Sequence, residues 1–566
     1  MSAQNPALPE TAPTPPADAP AMTPRQVLEA LSGILLGMFV SVLATSVVST
    51  SLPRVISDLN GSQSSYTWVV TATLLTTTIT TPIWGKLSDL VDRKMLIQLA
   101  LAISVLSSAV AGLSQSTGML ISMRAFQGIG AGGLTALGTV LIADIISPRE
   151  RGKYMGLMGG IMGLGMVGGP LLGGVITDGP GWRWNFFIGL PFAIAAIIVL
   201  QRTLKLPPMP RRKLNIDYAG ASLLSVGIGG LLLWVTFAGS KFDWLSWQTA
   251  VFVLGSVLAL ALAVWVESRA TEPIIPLHLF RNRTLVLAVV ASIAVGIAMF
   301  GTSVFLSQYM QVARGMSATA SGLITIPQIF GLFLASTISG RIISVTGKYK
   351  RYMIAGAVLL SAGMALMGTI RYDTNFVLVC VYMFVLGCGL GMLMQNLVLA
   401  AQNTLAVDEV GSGTSTVAFF RTLGGAMGVS VLGAVLGNKI TSLLTEGLAA
   451  LGIDLSALGG STSSIPNVAT IPEPVKTVVE SSYGEGVAFL FLLAVPLAVV
   501  ALIAVCFLKE VPLGERSGVE LRLAEQAEAQ ARLAAAEAQA EDGADPSPAP
   551  AERATAEADG LDQPAR

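Results

Sequence analysis

Apolar residues in this chain run in stretches of about twenty, a length that suits a helix crossing a bilayer core and exceeds any ordinary strand. Short polar turns separate them. Lipid offers backbone amides no partner, so each stretch has to close its hydrogen bonds within its own helix. Fourteen segments qualify, at 29–52, 67–84, 95–113, 118–143, 154–177, 184–203, 218–239, 248–266, 284–311, 320–343, 353–370, 376–403, 412–437 and 486–508. The pattern predicts an all-α polytopic membrane protein with fourteen transmembrane helices.

Composition adds exclusions. Of 566 residues 53% are hydrophobic and 12% charged, where a soluble domain carries about 25% charged residues. Soluble enzymes, nucleic-acid binders and disordered proteins are set aside on that ground. The balance of 34 basic and 34 acidic residues hides an asymmetry. From residue 509 onward there are 13 acidic and 6 basic residues, so an acidic tail offsets a basic membrane body. Within that body 18 Lys and Arg fall in one set of loops and 7 in the other. By the positive-inside rule this predicts a multi-pass plasma-membrane protein with both termini cytoplasmic.

Residues 1–28 are rich in Pro and Ala with no basic run before an apolar core, and read as a disordered tail, not a cleaved signal. An Ala/Glu/Arg stretch after Lys509 predicts a solvated helix within the 509–566 tail. Cys380, Cys388 and Cys506 all lie inside spans and read as small buried apolar residues, with no disulfide frame and no metal-ligand spacing. One histidine, His278, leaves no room for a His-based metal cluster.

Two loops resemble each other, Gly85 to Lys94 and Gly340 to Tyr349, at an offset of 255. Gly168-Gly169 and Gly424-Gly425 agree, at 256. The agreement predicts two six-helix halves, 29–203 and 284–508. Two helices are inserted between them at 204–283, and an external loop occupies 438–485. Such repeats let two rigid bodies rock around a midplane site.

Three stretches suggest chemistry. In the first loop Gly85 permits a tight turn, while Asp89 and Arg93 can pair with charges or helix ends nearby; an ordinary basic loop is the alternative. In Gly165-Met166-Val167-Gly168-Gly169-Pro170-Leu171-Leu172-Gly173-Gly174, small residues allow close helix approach and Pro170 frees a carbonyl. Arg124, in Arg124-Ala125-Phe126-Gln127-Gly128-Ile129-Gly130, lies about 9 Å below the external edge. There it needs a cavity or partner, unless it snorkels to the interface.

Together these stretches resemble the major facilitator superfamily, specifically its fourteen-helix drug:proton antiporter branch (EmrB/QacA type), from about residue 30 to 508. The loop is similar to the family's G-x-x-x-D-x-x-G-R-K, with Asp92 replacing its last glycine. Gly165 to Gly174 matches the antiporter motif G-x-x-x-G-P-x-x-G-G through Gly165, Gly169, Pro170, Gly173 and Gly174. Arg124 to Gly130 resembles R-x-x-Q-G-x-G. Trp182 to Pro191 and Leu279 to Arg283 resemble phrases at two helix entries of the branch. The resemblance implies export by alternating access, a latch at Gly85, Asp89 and Arg93, and a coupling role for Arg124. It also implies a proton gradient as energy source, with no cofactor.

The branch commonly carries an acid in helix 1, and this chain has Ala44 there. No Asp or Glu lies near the centre of any span, whereas Arg124 and Arg421 lie deep. Arginine stays protonated and cannot itself carry the proton. The two arginines suit an anionic or polar neutral substrate, or simply pair with helix carbonyls. Polar and aromatic residues within the spans nominate a substrate cavity: Thr45, Ser49, Gln127, Gln308, Tyr309, Gln328, Asn396, Gln402, Asn403 and Phe420, with Asn396 foremost. The threonines at 76, 77, 78, 80 and 81 are expected to bond back to their own helix.

The expected function is secondary active export of amphipathic small molecules or drugs by a monomer in a lipid bilayer, with no enzyme activity, metal or nucleic acid. Two alternatives stand: an exporter of one endogenous metabolite or lipid, and a membrane sensor or scaffold acting through the tail.

Overall fold

Polar residues in the turns start many of the helices by accepting hydrogen bonds from the first free backbone amides. Asp92 accepts from Lys94 N at 2.8 Å, Asn375 from Val377 N at 2.9 Å, and Asn282 from Thr284 N at 3.0 Å. Asp92, in place of a glycine, is therefore the N-cap of the third helix. The computed structural model describes residues 24–59, 63–204, 217–238, 242–270, 273–316, 318–406, 409–452 and 473–514, and parts of 520–534.

The helices are α1 (Pro24–Asp58), α2 (Gln63–Leu90), α3 (Arg93–Gly112), α4 (Thr117–Ile145), α5 (Pro148–Asp178), α6 (Gly189–Thr203), α7 (Tyr218–Phe237), α8 (Trp247–Glu267), α9 (Arg283–Gln308), the short α10 (Ala318–Leu323), α11 (Ile326–Thr346), α12 (Lys350–Met367), α13 (Phe376–Gln402), α14 (Val410–Ala450) and α15 (Val475–Phe507). Fourteen of these are long. Among the described residues thirteen are also apolar enough to cross a membrane unaided. The exception is the threonine-rich α2, whose hydroxyls need partners in neighbouring protein.

Packing repeats between the halves. The contacts α1–α5, α1–α6, α2–α4, α3–α4 and α3–α6 recur as α9–α14, α9–α15, α11–α13, α12–α13 and α12–α15 (α12–α15 answering α3–α6). The halves meet along two seams, α2 against α14 and α5 against α11. The inserted α7 packs on α8 and touches both α2 and α14. Of the apolar stretch in α4, 89% is buried inside the protein, against 17% in α8. The first is a core helix and the second an outer one.

The structure corrects two expectations. Much of the 438–485 loop is helical, because α14 continues to Ala450 and α15 already begins at Val475; residues 453–472 lie outside those described. A helix need not stop at the membrane face when its further turns still pack, as Ile440 and Leu448 do. The cysteines are free but not buried: Cys506 is exposed, Cys380 and Cys388 partly so. In a membrane helix an apolar side chain can face lipid as readily as core.

Residues 1–519 form one compact unit and 520–566 a second. The second is helical over 527–534, with an Arg532–Glu528 pair at 2.6 Å one turn apart.

Candidate functional site

The turns α2–α3, α4–α5, α11–α12 and α13–α14 lie on one face of the first unit, the basic face, and there the halves are clasped. Gly85 brings α2 against α14 so closely that a Cβ would sit 2.0 Å from Ser415 Oγ and 3.0 Å from Gly411 O. One turn on, Asp89 accepts from Gly411 N at 3.0 Å, Ser412 N at 2.9 Å and Ser412 Oγ at 2.7 Å. A carboxylate on the first amides of a helix is held by both hydrogen bonds and the helix dipole. Arg93 backs it, donating to Ser88 O at 2.8 Å, lying 3.6 Å from Asp89 and pairing with Asp144 of α4. Burial, past the apolar part of α2, raises the Asp89 carboxyl to about 6 against the lowering pull of Arg93 and Ser412.

The opposite seam is clasped by different chemistry. Arg149, at the start of α5, donates to Ser344 O at 3.3 Å. Arg151 donates to Ala143 O at 2.6 Å and Ile146 O at 3.0 Å, satisfying the end of α4, and to Gln402 Oε1 at 3.1 Å. Gln402 in turn donates to Thr414 Oγ1 at 3.0 Å. After α15 the segment 508–514 crosses this face: Asn403 donates to Pro512 O at 3.1 Å, Val511 N to Tyr349 Oη at 3.0 Å, and Arg149 N to Gly514 O at 3.3 Å. Arg151, Tyr349 and the 508–514 segment take part in these contacts, and the sequence reading assigned them no role. Arg151 carried a signal, a cation at a span entry.

Directly above the clasp lies a void of about 10 Å³ between the halves, edged by Arg421. Thr139 and Thr414, both tied to Gln402, form its base. Four methionines surround it, Met38, Met158 and Met162 from one half and Met394 from the other. Arg421 is 8% exposed and forms no ion pair among the described residues. Arg124 differs. It is 1% exposed, donates to Gln127 Oε1 at 2.7 Å and Val69 O at 3.4 Å, and so does not snorkel.

The glycine motif works by spacing. Gly165, Gly169 and Gly173, one turn apart, face α1: added Cβ atoms would lie 3.1 Å from Val42, 2.2 Å from Ser46 and 2.8 Å from Val47 O, while Gly174 faces open space. Pro170 has no N–H for the Met166 carbonyl, and Ser46 Oγ supplies the missing donor at 3.0 Å.

Neither described cavity is lined by any of the ten cavity candidates. Asn396 bonds its own helix, to Met392 O at 2.7 Å. Thr45 does likewise, to Ser41 O. Gln127 serves Arg124, and Gln402 and Asn403 belong to the clasp. Tyr309 is buried with its hydroxyl on Arg371 O at 2.7 Å. Gln328 sits where α13 crosses α11, Gly387 running against its carbonyl. The carboxamide oxygen of Gln308 is buried without a partner. Phe420 stacks edge-on to Phe280 and Phe419. The Ser49 side chain lies outside the described residues. The α2 threonines divide: Thr76, Thr78, Thr80 and Thr81 bond their own helix, Thr76 also reaching Ala125 O of α4 at 2.8 Å, whereas Thr77 reaches Gly128 O of α4 at 3.1 Å. Two close-packed helices offer each other's carbonyls, which residue type alone cannot reveal. No metal-holding cluster of His, Cys, Asp or Glu occurs among the described residues.

Residues 34–429 match the Major Facilitator Superfamily. The chain belongs to that family. It is 36% identical to the multidrug transporter protein MdtP of Bacillus subtilis over 74% of this chain and 77% of the relative. With an uncharacterised MFS-type transporter of Mycobacterium tuberculosis it shares 35% identity over 90% and 73%, and with efflux pump FUS6 of Gibberella moniliformis 30% over 87% and 89%. The proton:xylose symporter XylE superposes with a TM-score of 0.57 at 15% identity, over 88% of this chain and 99% of that structure, a likeness of fold. The protein is a membrane-spanning MFS transporter, of a family and fold that are not enzymes.

Proposed function

We propose that the chain is a secondary active exporter of amphipathic small molecules. Two six-helix halves alternate access around the Arg421 void, in a plasma membrane, with the basic face cytoplasmic. The observation that carries this reading is the placing of Arg421: a buried cation without an acid, between the halves, ringed by methionines and immediately above a clasped face. Flexible, polarizable methionine accommodates varied apolar shapes. An unpaired buried charge invites a polar neutral or anionic group on the cargo. Relatives named multidrug transporter and efflux pump support the direction and breadth. Proton antiport is the energy source by resemblance to the antiporter branch, with no cofactor and a monomer as the working unit. Asp89 and Asp144 at the basic face are the buried carboxyls beside the halves' contact.

Dye-reported proton flux in inside-out vesicles tests this. Adding an exported compound produces proton movement against it, and Arg421→Gln removes transport of anionic compounds while sparing the fold. Absence of substrate-dependent flux across a broad panel overturns proton antiport; transport of a single compound points to a dedicated exporter. Unchanged charge selectivity in both Arg421→Gln and Arg124→Gln overturns the role given to arginine.

A further inference from the structure

The α2–α14 seam is tight at the basic face and hollow beyond it. From Leu75 outward, a cavity of about 710 Å³ opens between α2, α9 and α14, within the range of about 300–1,000 Å³ typical of small-molecule sites. The inserted helix α7 walls it with Leu232 and Val235, and α9 with Phe300 and Val304. Since α8 packs outside α7 and is itself largely exposed, this inserted pair stands between the cavity and lipid.

The hollow is not a by-product of helix packing. Gly424 and Gly428 of α14 are needed for contact, since Cβ atoms there would lie 2.8 Å and 2.7 Å from Ile293 and Ile297 of α9. Gly433 and Gly437 line the cavity, yet a Cβ at Gly433 would find its nearest neighbour at 3.8 Å and one at Gly437 would find none within 4 Å. Larger side chains fit at both positions, and their absence keeps space.

Charge at the described lining has one sign. Asp243, beside Trp244 on the turn after α7, is the one ionisable residue among the described residues that line it. Lys439, next to the lining Asn438, is turned away over the Phe489 ring of α15 at 5.6 Å. Trp244 is held edge-on by Trp234 at 5.7 Å. An apolar chamber with a carboxylate and an indole at its rim matches a cation carrying a large apolar body.

We infer that this cavity is a second binding site, for amphiphilic organic cations, built by the inserted helix α7 and separate from the Arg421 void. A cation is repelled by Arg421, so cargoes of opposite charge use different places. The physiological role rests on the export reading; the site itself does not, because binding is measured without transport.

The probes are tetraphenylphosphonium and the isosteric anion tetraphenylborate, titrated against the full chain in lipid nanodiscs, with empty discs subtracted. Val235→Trp and Gly433→Leu fill the cavity from different helices and are expected to weaken tetraphenylphosphonium binding about tenfold or more. Asp243→Asn, at an exposed position that does not threaten folding, is expected to weaken it about threefold. Val226→Trp, adding the same bulk at a position 64% exposed on α7, leaves it unchanged. Tetraphenylborate is insensitive to all four. Wild-type affinity in folded Val235→Trp or Gly433→Leu, or in Asp243→Asn, overturns the proposal. So does tetraphenylborate binding that the same substitutions weaken equally.

Discussion

The two seams between the halves solve one problem in opposite ways. Along α5–α11 the glycines of α5 are covered by side chains: Cβ atoms at Gly160 and Gly163 would lie 2.3 Å from Phe333 and 2.6 Å from Ile329. Along α2–α14 the tightest contacts, at Gly85 and Gly411, lie at the basic face, and space opens beyond Leu75. Their clasps differ too. The first loop puts the Asp89 carboxylate on the amide end of α14; the repeated loop offers Arg149 the carbonyls of Ser344 and Val345. A buried, charge-assisted contact is strong and switchable, whereas an exposed one at 3.3 Å contributes little. The repeat has kept the architecture but changed the chemistry: a carboxylate closes the α2–α14 side, and the Arg149 and Arg151 guanidiniums close the other.

Gly85→Val breaks this comparison hardest. Its side chain cannot enter the α2–α14 contact, so the basic face should stay open and transport should fall about a hundredfold; near-normal transport would show that the contact is dispensable. Asp89→Asn comes next. Losing a buried charged acceptor costs about 1.5–3 kcal/mol, or about tenfold to a hundredfold in the closed population. Distances between spin labels across the basic face report it. Arg149→Ala, which removes only the exposed contact of the other clasp, should change that population about twofold or less; an effect matching Asp89→Asn would erase the difference between the two contacts. The smallest effect is on pH. The Asp89 carboxyl is raised to about 6 when clasped, so the closed state binds the proton more tightly than an open state with an ordinary carboxyl. Closure is favoured below the ordinary carboxylate value and that advantage is lost as pH rises through about 6. Label distances at about pH 5 and about pH 7 should differ accordingly, and Asp89→Asn should abolish the difference.

Much of this was legible in the sequence where a pattern maps directly onto a physical need. Stretches of about twenty apolar residues meant spanning helices. The spacing Gly165, Gly169, Gly173 meant one face of a helix. The offsets of 255 and 256 meant two like halves, and the recurring helix contacts agree. The same offset carries Gly165 to position 421, where the second half has arginine instead. The break in the repeat marks the residue at the void, and it was readable without coordinates.

Polar residue type within a span was a poor guide to cavities. Asn396, Gln402 and Tyr309 each have reasons to be polar that involve no cargo: a carbonyl of the same helix, a seam between halves, a neighbouring loop. The hollow beside α7 was invisible for the converse reason. It is made by what Gly433 and Gly437 lack, and by the place where α7 lies.

By itself the sequence determined the number of long helices, the twofold repeat, the place of two arginines inside helices and the glycine face of α5. These depend on spacing along one chain, which hydrophobicity and helix geometry convert directly into structure. Only the tertiary structure decided that Arg124 is satisfied within its own half while Arg421 faces the other, and that Asp89 closes on α14. It alone showed that the inserted helix walls a cavity. Each of these depends on which helices become neighbours, and in lipid that is settled by the fit of small residues and the partnering of polar groups between helices, not by hydrophobicity.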